Sequence, residues 1–440
     1  MVFSISKWRR RSRASKANPN STQFQHGDVE ASQSNTQSAL LLYAVRQPYE
    51  FVTDHPIPTS KRDTELLVKV LAIGLNPIDW KAPDFNFGIP TLPYIAGREF
   101  TGTVVQAASR TNSRIRQGDI VIVPSTDYRD LRKAAFQEYS IASSFNTIRL
   151  PRNISTQAGS ILGVAFVAAA LALGICMGVS FEDIEGGPNL LKLVRSIDPE
   201  NLPADIRKEC LEGIRDDERA QKGDFLVIWG GSSTCAYTMK QLARLAGLRN
   251  ISVVDSSKHG LRLSSRDHIR PDLLVDAHDP ERAISIIKSA TNNSARFGFD
   301  TQGKETASQL LRSLASLHCF PNHPEEYSTS KLNSKLPTPP STPAEANPSA
   351  PRSHLVGLTG LPKGNVPEDV ALHSVPIKLF HEIPEVGEAL CSWAERLLVK
   401  GLLVPPDVLG TVDGLGGINA GLDRLRKREV SGGRLVAVLR

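Results

Sequence analysis

Five residues between an apolar run and a helical pattern have the types needed to bind an anion. They are Gly230, Gly231, Ser232, Ser233 and Thr234. Glycines permit a tight turn, and the unpaired backbone N–H groups at the start of a helix carry the positive end of its dipole. Hydroxyl groups beside them add donors to a phosphate. An ordinary strand-to-helix turn is the alternative, because the spacing is not the full G-x-G-x-x-G pattern.

An acidic residue follows the turn at a distance that has a chemical meaning. Asp255 ends the apolar run NISVVD, close to the position where a dinucleotide-binding βαβ unit has a carboxylate for the ribose hydroxyls. That carboxylate suits NADH. Ser256, Ser257 and Lys258 come directly after it and suit the 2′-phosphate of NADPH instead. The turn is therefore predicted to hold the pyrophosphate of a dinucleotide.

These residues need a sheet to position them. Phe225–Trp229 is short and β-prone, and the apolar residues from Met239 to Ala246 fit one helical face. Further short strands are predicted at 250–255, 272–277, 296–301 and 354–360. Strands that alternate with helices predict an α/β fold with a doubly wound parallel sheet.

Residues 40–150 have a different texture, with short alternating strands between turn residues. They predict a small β-barrel, to which the C-terminal strand VSGGRLVAVL returns. The predicted organisation is a disordered basic tail at 1–38, a β-barrel domain at 39–165 completed by 406–440, a nucleotide-binding domain at 166–405 and a disordered Pro/Ser-rich insertion at 321–352.

Composition excludes several classes of function. The net charge is +6, but six positive residues precede the first acidic residue, Asp28, so the rest is near neutral and predicts no nucleic-acid partner. The five cysteines are scattered, which predicts reduced thiols and neither disulfides nor a zinc site. The run 159–181 is apolar but interrupted by glycine, so a buried helix is expected and no membrane partner.

Four further motifs resemble the zinc-independent branch of the medium-chain dehydrogenase/reductase superfamily, which includes quinone oxidoreductases and fungal trans-acting enoyl reductases. They are VLAIGLNPIDWK, YIAGREFTGTVV, QGDIVIVP and VSGGRLVAVL. The resemblance implies a GroES-like β-barrel catalytic domain beside a Rossmann-type domain. It also implies that Ser257, Lys258 and His259 form the loop that meets the adenosine ribose, and it favours NADPH narrowly over NADH.

The resemblance also bears on the reacting end of the site. Zinc-dependent members have Cys where this chain has Asn76 and His where it has Arg98, so no zinc is expected. Asn76, Asp79 and Lys81 should face the nicotinamide, with Asp79 and Lys81 as catalytic candidates and Lys81 donating to a developing enolate. A surface ion pair between Asp79 and Lys81 is the alternative.

The implied activity is NAD(P)H-dependent reduction of an activated double bond in a small-molecule or carrier-bound enoyl substrate. A broad-specificity quinone reductase is the alternative of the same class. A non-catalytic nucleotide-binding scaffold is the third hypothesis, because Ala168 stands where relatives commonly have Thr and the Pro/Ser insertion suits a partner protein. A cytoplasmic location is expected, with mitochondrial import as the alternative for the basic tail.

Overall fold

A computed structural model describes residues 35–110, 113–314, 351–364 and 366–440, and Thr36–Arg440 pack as one unit. The strands are β1 (Thr36–Leu41), β2 (Glu50–Pro56), β3 (Glu65–Gly74), β4 (Glu99–Gln106), β5 (Ile120–Pro124), β6 (Tyr139–Ser143), β7 (Ile148–Arg149), β8 (Phe225–Trp229), β9 (Arg249–Val254), β10 (Leu273–Asp276), β11 (Phe297–Asp300), β12 (Ser353–Gly357), β13 (Val370–His373), β14 (Val408–Asp413) and β15 (Arg434–Val438). The helices are α1 (Pro77–Phe85), α2 (Thr156–Gly159), α3 (Gly163–Leu171), α4 (Leu190–Arg195), α5 (Arg207–Glu212), α6 (Thr234–Leu245), α7 (Ser256–Ser264), α8 (Pro280–Ala290), α9 (Lys304–Ser313), α10 (Lys378–Glu382), α11 (Pro384–Val399) and α12 (Ile418–Arg426).

A six-stranded parallel sheet carries the glycine turn. Its strand order is β10-β9-β8-β11-β12-β13, and every neighbouring pair is parallel. Numbered from β8, this is the order 3-2-1-4-5-6 of a dinucleotide-binding sheet. The predicted Rossmann-type sheet is confirmed. The sequence prediction had missed β13, because its four residues are too short to show a pattern.

A seven-stranded sheet contains the strands predicted for the barrel. Its order is β14-β15-β3-β4-β5-β7, with β6 also paired to β3. The C-terminal strand β15 pairs with β3 in antiparallel orientation, so the predicted return of the chain to this region is confirmed. The fold class is therefore α/β, as predicted. Because residues 36–440 pack together, the boundary at 165/166 stays a prediction.

The predicted tail boundary at residue 38 lies three residues too late. Thr36 already starts β1, which pairs with β2. Gln37 is buried, and its side-chain amide donates to Pro56 O and Gln137 Oε1, both at 3.1 Å. The polar residues at 36–38 had been assigned to the tail because of their composition. They belong to the fold, because the buried Gln37 amide has hydrogen-bond partners there. Residues 1–34 lie outside the described residues.

The apolar run at 159–181 is a buried helical segment, as predicted. The helical stretch Thr156–Cys176 is long and apolar enough to cross a membrane, yet 94% of its most apolar window is buried inside the fold. It ends in a π-helical turn, Ala172–Cys176. Its small residues allow α3 to pack closely against its neighbours in the core.

Most of the predicted insertion, up to residue 350, lies outside the described residues. Its last two residues are described, and Arg352 is fixed by two hydrogen bonds to the buried carboxylate of Glu218, at 2.6 and 2.9 Å. The predicted boundary at residue 352 is therefore too late, because Arg352 is the ordered partner of a buried acid.

Candidate active site

The glycine turn connects β8 to α6 at the carboxyl end of a central strand. Gly230 has a φ of +77°, and a Cβ at this position would collide with Thr301 Oγ1. Ser233 caps α6, since its side chain accepts from the backbone N–H of Ala236. The chain therefore has to be glycine at 230 and favours a capping hydroxyl at 233.

The turn leaves several backbone donors available. The N–H groups of Gly230 and Gly231 both donate to Val253 O at 3.1 Å. By contrast, the N–H groups of Ser232, Thr234 and Cys235 have no acceptor in the described part of the chain. Together with the start of α6, they form a cradle for an anionic group.

Gly231 packs closely against a neighbouring strand of the sheet. Its missing Cβ points at β9, where it would lie 2.9 Å from Ser252 Cβ and 3.1 Å from Val254 Cγ1. The glycine is needed for close packing of the turn against β9.

A buried lysine supports the turn from below. Lys240 is 1% exposed, and its Nζ donates to Gly231 O at 2.8 Å. Burial, with the nearby cations Arg262 and Arg244, lowers the pKa of Lys240 to about 7. Sequence reasoning missed this residue, because a lysine in an amphipathic helix is ordinarily read as part of the solvated face.

Three buried polar residues contact one another at the start of α1. They are Asn76, Asp79 and Glu99, and we call them the acid cluster. Asn76 caps α1, and its backbone N–H donates to Asp79 Oδ2 at 2.7 Å. Its side-chain amide donates to Glu99 Oε1 at 3.1 Å, while Glu99 Oε2 accepts from the N–H of Val164 at 2.9 Å. Each of the three is at most 4% exposed.

The surroundings of the acid cluster raise the pKa values of its two carboxyl groups. Burial raises the pKa of Asp79 to about 6 and the pKa of Glu99 to about 7, although the nearby Arg434 guanidinium opposes both shifts. Asp79 Oδ1 has no hydrogen-bond partner in the described structure. Two acids that titrate near neutrality next to one cation are a common feature of functional sites. Glu99 and Arg434 had not been singled out from the sequence.

The donor set at this position does not suit a zinc ion. The amide of Asn76 and the carboxylate of Glu99 bind each other, and the neighbouring Arg98 carries a guanidinium that cannot ligate a cation. That guanidinium lies over the Tyr128 ring, 5.2 Å from its centroid.

Lys81 lies on α1 but not beside Asp79. Residues two apart on a helix point to different faces, and Asp79 is buried against the Asn76 backbone. The Lys81 Nζ lies 5.8 Å from the Trp80 ring centroid. The alternative of an Asp79–Lys81 ion pair is wrong, whereas the predicted catalytic role of Lys81 stays a prediction.

The residues predicted to meet the ribose form an exposed cluster after β9; we call Asp255, Ser257 and Lys258 the ribose cluster. Asp255 caps α7, accepts from Ser257 Oγ at 2.5 Å and pairs with Lys258 Nζ at 3.1 Å. These contacts, the Ser257 hydroxyl first, lower the pKa of Asp255 to about 2. The two residues that were expected to favour different cofactors therefore bind each other.

His259 does not join this cluster. It is buried, and its Nε2 lies 2.9 Å from Ser431 Oγ. One turn later, Arg262 donates to Asp407 Oδ2 at 3.1 Å and to Ser232 O at 3.4 Å. The prediction for His259 is not supported by this placement, because α7 turns that side chain towards the segment before β15. Arg262, which the sequence reasoning missed, is a second cation next to the glycine turn, besides Lys240.

Comparisons with known proteins agree with this architecture. Residues 62–152 match the alcohol dehydrogenase GroES-like domain family. The chain is similar to the trans-enoyl reductase caaB of Aspergillus niger, with 28% identity over 58% of this chain and 61% of that protein. It is also similar to a zinc-type alcohol dehydrogenase-like protein of Schizosaccharomyces pombe, with 24% identity over 88% of this chain and 94% of the other.

A solved structure extends the likeness to nearly the whole fold. The Escherichia coli quinone oxidoreductase complexed with NADPH superposes with a TM-score of 0.61 at 14% identity, covering 92% of this chain and 99% of that one. The similarity to the Aspergillus protein spans less than two thirds of that relative, whereas the structural match covers 99% of the oxidoreductase.

Proposed function

We propose that this chain is a member of the medium-chain dehydrogenase/reductase superfamily, and that it is an NAD(P)H-dependent oxidoreductase that reduces an activated carbon–carbon double bond. The observation that carries the proposal is the glycine turn. Its three available N–H groups lie at the start of α6, at the carboxyl end of β8, where a parallel sheet of this order binds a pyrophosphate.

NADPH is the cofactor we propose, with no zinc at the reacting end. The residues present fit the nucleotide: the turn receives the pyrophosphate, and Lys258 and Arg262 offer cations to a 2′-phosphate. When bound, the nicotinamide supplies the hydride. The Asn76 and Arg98 side chains do not form a zinc site, so the oxygen of the substrate needs another electrophile.

The chain's own residues would then position the substrate and control its charge. Reduction of an α,β-unsaturated carbonyl places negative charge on the carbonyl oxygen. The proposed donor to that oxygen is Lys81. Glu99 and Asp79 are buried and hold Asn76 rigidly at the start of α1, which fixes the helix that carries Lys81.

A panel of acceptors tests the proposal. NADPH oxidation is measured with a small enone, an enoyl thioester and a quinone, and each product is identified. Saturation of the double bond supports the proposal. Turnover of quinones alone would support the quinone reductase, the activity that the Escherichia coli protein is named for.

Binding without turnover is the third outcome. It would support a nucleotide-binding scaffold, the hypothesis raised by Ala168, which is buried in α3. A Lys81→Met variant completes the test: kcat should fall by at least about tenfold while the Kd for NADPH is unchanged, because one charge-assisted donor is lost.

A further inference from the structure

Three metal-ligating side chains meet at the far edge of the parallel sheet. Cys176 ends the π-helical turn after α3, Glu209 lies on α5 and His373 ends β13. One ligand atom from each, a sulfur, an oxygen and a nitrogen, lies within 4.8 Å of the other two. β13 is three strands away from β8, so this cluster is separate from the glycine turn.

The cluster is buried on two sides and open on the third. Cys176 is fully buried, and the His373 side chain is 1% exposed. The Glu209 side chain is 20% exposed, which provides an entry path from solvent. Buried thiol and imidazole groups next to a partly exposed carboxylate are suitable ligands for an ion that enters from the surface.

His373 is oriented by a chain of partners behind it. Its Nδ1 lies 2.7 Å from Glu209 Oε1, and its Nε2 lies 2.9 Å from Nδ1 of the fully buried His354. His354 Nε2 has no hydrogen-bond partner in the described structure, and it lies 3.7 Å from Glu218 Oε2. Metal-bound histidines are ordinarily held in this way, by an acceptor on the second ring nitrogen.

The two histidines in this series of side chains carry too few N–H groups for all of its contacts. Two neutral imidazoles carry two N–H groups, but Glu209, His373, His354 and Glu218 make three successive contacts. If both N–H groups point towards Glu209, His354 Nε2 is unprotonated, and its lone pair faces the Glu218 carboxylate. If both point towards Glu218, His373 Nδ1 faces the Glu209 carboxylate with a lone pair at 2.7 Å.

A cation between His373 Nδ1 and Glu209 removes this conflict. It accepts both lone pairs, so both N–H groups are free to point towards Glu218 and the unpartnered His354 Nε2 becomes a donor. An added proton would satisfy the same pair, but it would not engage the Cys176 sulfur, which lies within 4.8 Å of both ligand atoms. A metal ion uses all three atoms.

We propose that Cys176, Glu209 and His373 bind one zinc ion, with the fourth position filled by water. Sulfur, nitrogen and oxygen ligands together suit zinc, and three protein ligands leave one position for solvent. With zinc–ligand distances of about 2.1 Å, tetrahedral geometry separates the nitrogen and oxygen by about 3.4 Å. The separation of these two atoms is 2.7 Å, so the partly exposed Glu209 side chain has to move outward by about 0.7 Å on binding. The ion ties the end of the buried helical segment to α5 and to the sheet edge.

Cobalt titration of the full-length protein tests the site. After chelation and dialysis, the protein should bind one equivalent of Co²⁺ and show thiolate-to-cobalt charge-transfer absorption, and Zn²⁺ should displace the cobalt. Cys176→Ala should abolish that absorption. Cys391→Ala, which removes another fully buried thiol, is the matched control and should retain it.

A second variant keeps the test valid if Cys176→Ala fails to fold. Glu209→Gln changes a partly exposed side chain, and it should weaken zinc affinity at least about tenfold and reduce the rise in Tm that zinc produces. The proposal is overturned if wild-type protein shows no thiolate absorption with Co²⁺, or if Cys176→Ala or Glu209→Gln binds the metal as tightly as wild type.

Discussion

The acid cluster and the ribose cluster contain similar residue types, but the fold holds them very differently. Asp79 and Glu99 are buried, and their contacts are to backbone groups and to a buried amide. In the ribose cluster, the Lys258 side chain is 71% exposed and its pairing with Asp255 is a surface ion pair. Such exposed pairs contribute little to stability, so they exchange partners easily.

This difference separates two properties of the proposed enzyme. Positions near the acid cluster are fixed on folding, so a change there should alter stability and its pH dependence. Positions in the ribose cluster are free to rearrange around a nucleotide, so a change there should alter the choice of cofactor and little else. The predictions below test the comparison, beginning with the largest effect.

Lys240 extends the comparison to a buried cation. Its pKa of about 7 in the folded protein lies below the ordinary value of 10.5, so the unfolded chain binds more protons between these values. Stability should therefore rise with pH from about 7 to 10, by an amount on the order of 4 kcal/mol. In Lys240→Met that contribution is absent. Urea unfolding of both proteins at pH 7 and pH 9.5 measures it, and equal pH dependence would contradict the buried placement.

Glu99→Gln should act in the opposite direction. The pKa of Glu99 rises from 4.5 unfolded to about 7 folded, so the native state binds more protons in this window. Wild-type stability should consequently fall by roughly 3 kcal/mol between pH 4.5 and 7, and the variant should lose less. Asp79, with a folded pKa of about 6, leaves a smaller decline in the variant. The check is the free energy of unfolding at pH 5 and pH 7.5; parallel curves would contradict the prediction.

The sequence predicted the backbone of the site better than its side-chain pairings. The glycine turn, β8 and β9 were found because periodicity and glycine spacing are local signals. The link from Lys240 to Gly231 O and the Arg434 guanidinium near the acid cluster depend on tertiary contacts. No pattern along the chain predicts these contacts.

The proposed zinc site also depends on tertiary contacts that the sequence does not predict. Its ligands lie on three elements far apart in the sequence, so the scattered cysteines predicted no metal site. The spacing rule detects ligands that are close along the chain, whereas this cluster is assembled by the packing of α5 and β13 against the end of the buried helix.

Gly230→Ala tests whether the glycine turn, like the acid cluster, tolerates no change in its backbone conformation. A side chain at a φ of +77° is strained by about 1–2 kcal/mol, and it would also collide with Thr301. NADPH should bind at least about tenfold more weakly by calorimetric titration. Gly223→Ala is the matched control: φ is +96° there, but no atom lies within 4 Å, so that variant should lose stability and keep its affinity. Undiminished affinity in Gly230→Ala would mean that the turn does not form the nucleotide site.

Lys258→Ala should give the smallest effect, confined to one cofactor. Removing an exposed cation from a 2′-phosphate costs about 1 kcal/mol, so kcat/KM for NADPH should fall roughly fivefold while that for NADH is unchanged. Loss of Lys258 also frees the Asp255 carboxylate, which then repels a 2′-phosphate and adds to the discrimination. Lys192→Ala, an exposed lysine on α4, should leave the ratio unchanged. The opposite pattern, in which Lys258→Ala spares NADPH and Asp255→Ser impairs NADH, would mean that the carboxylate selects NADH.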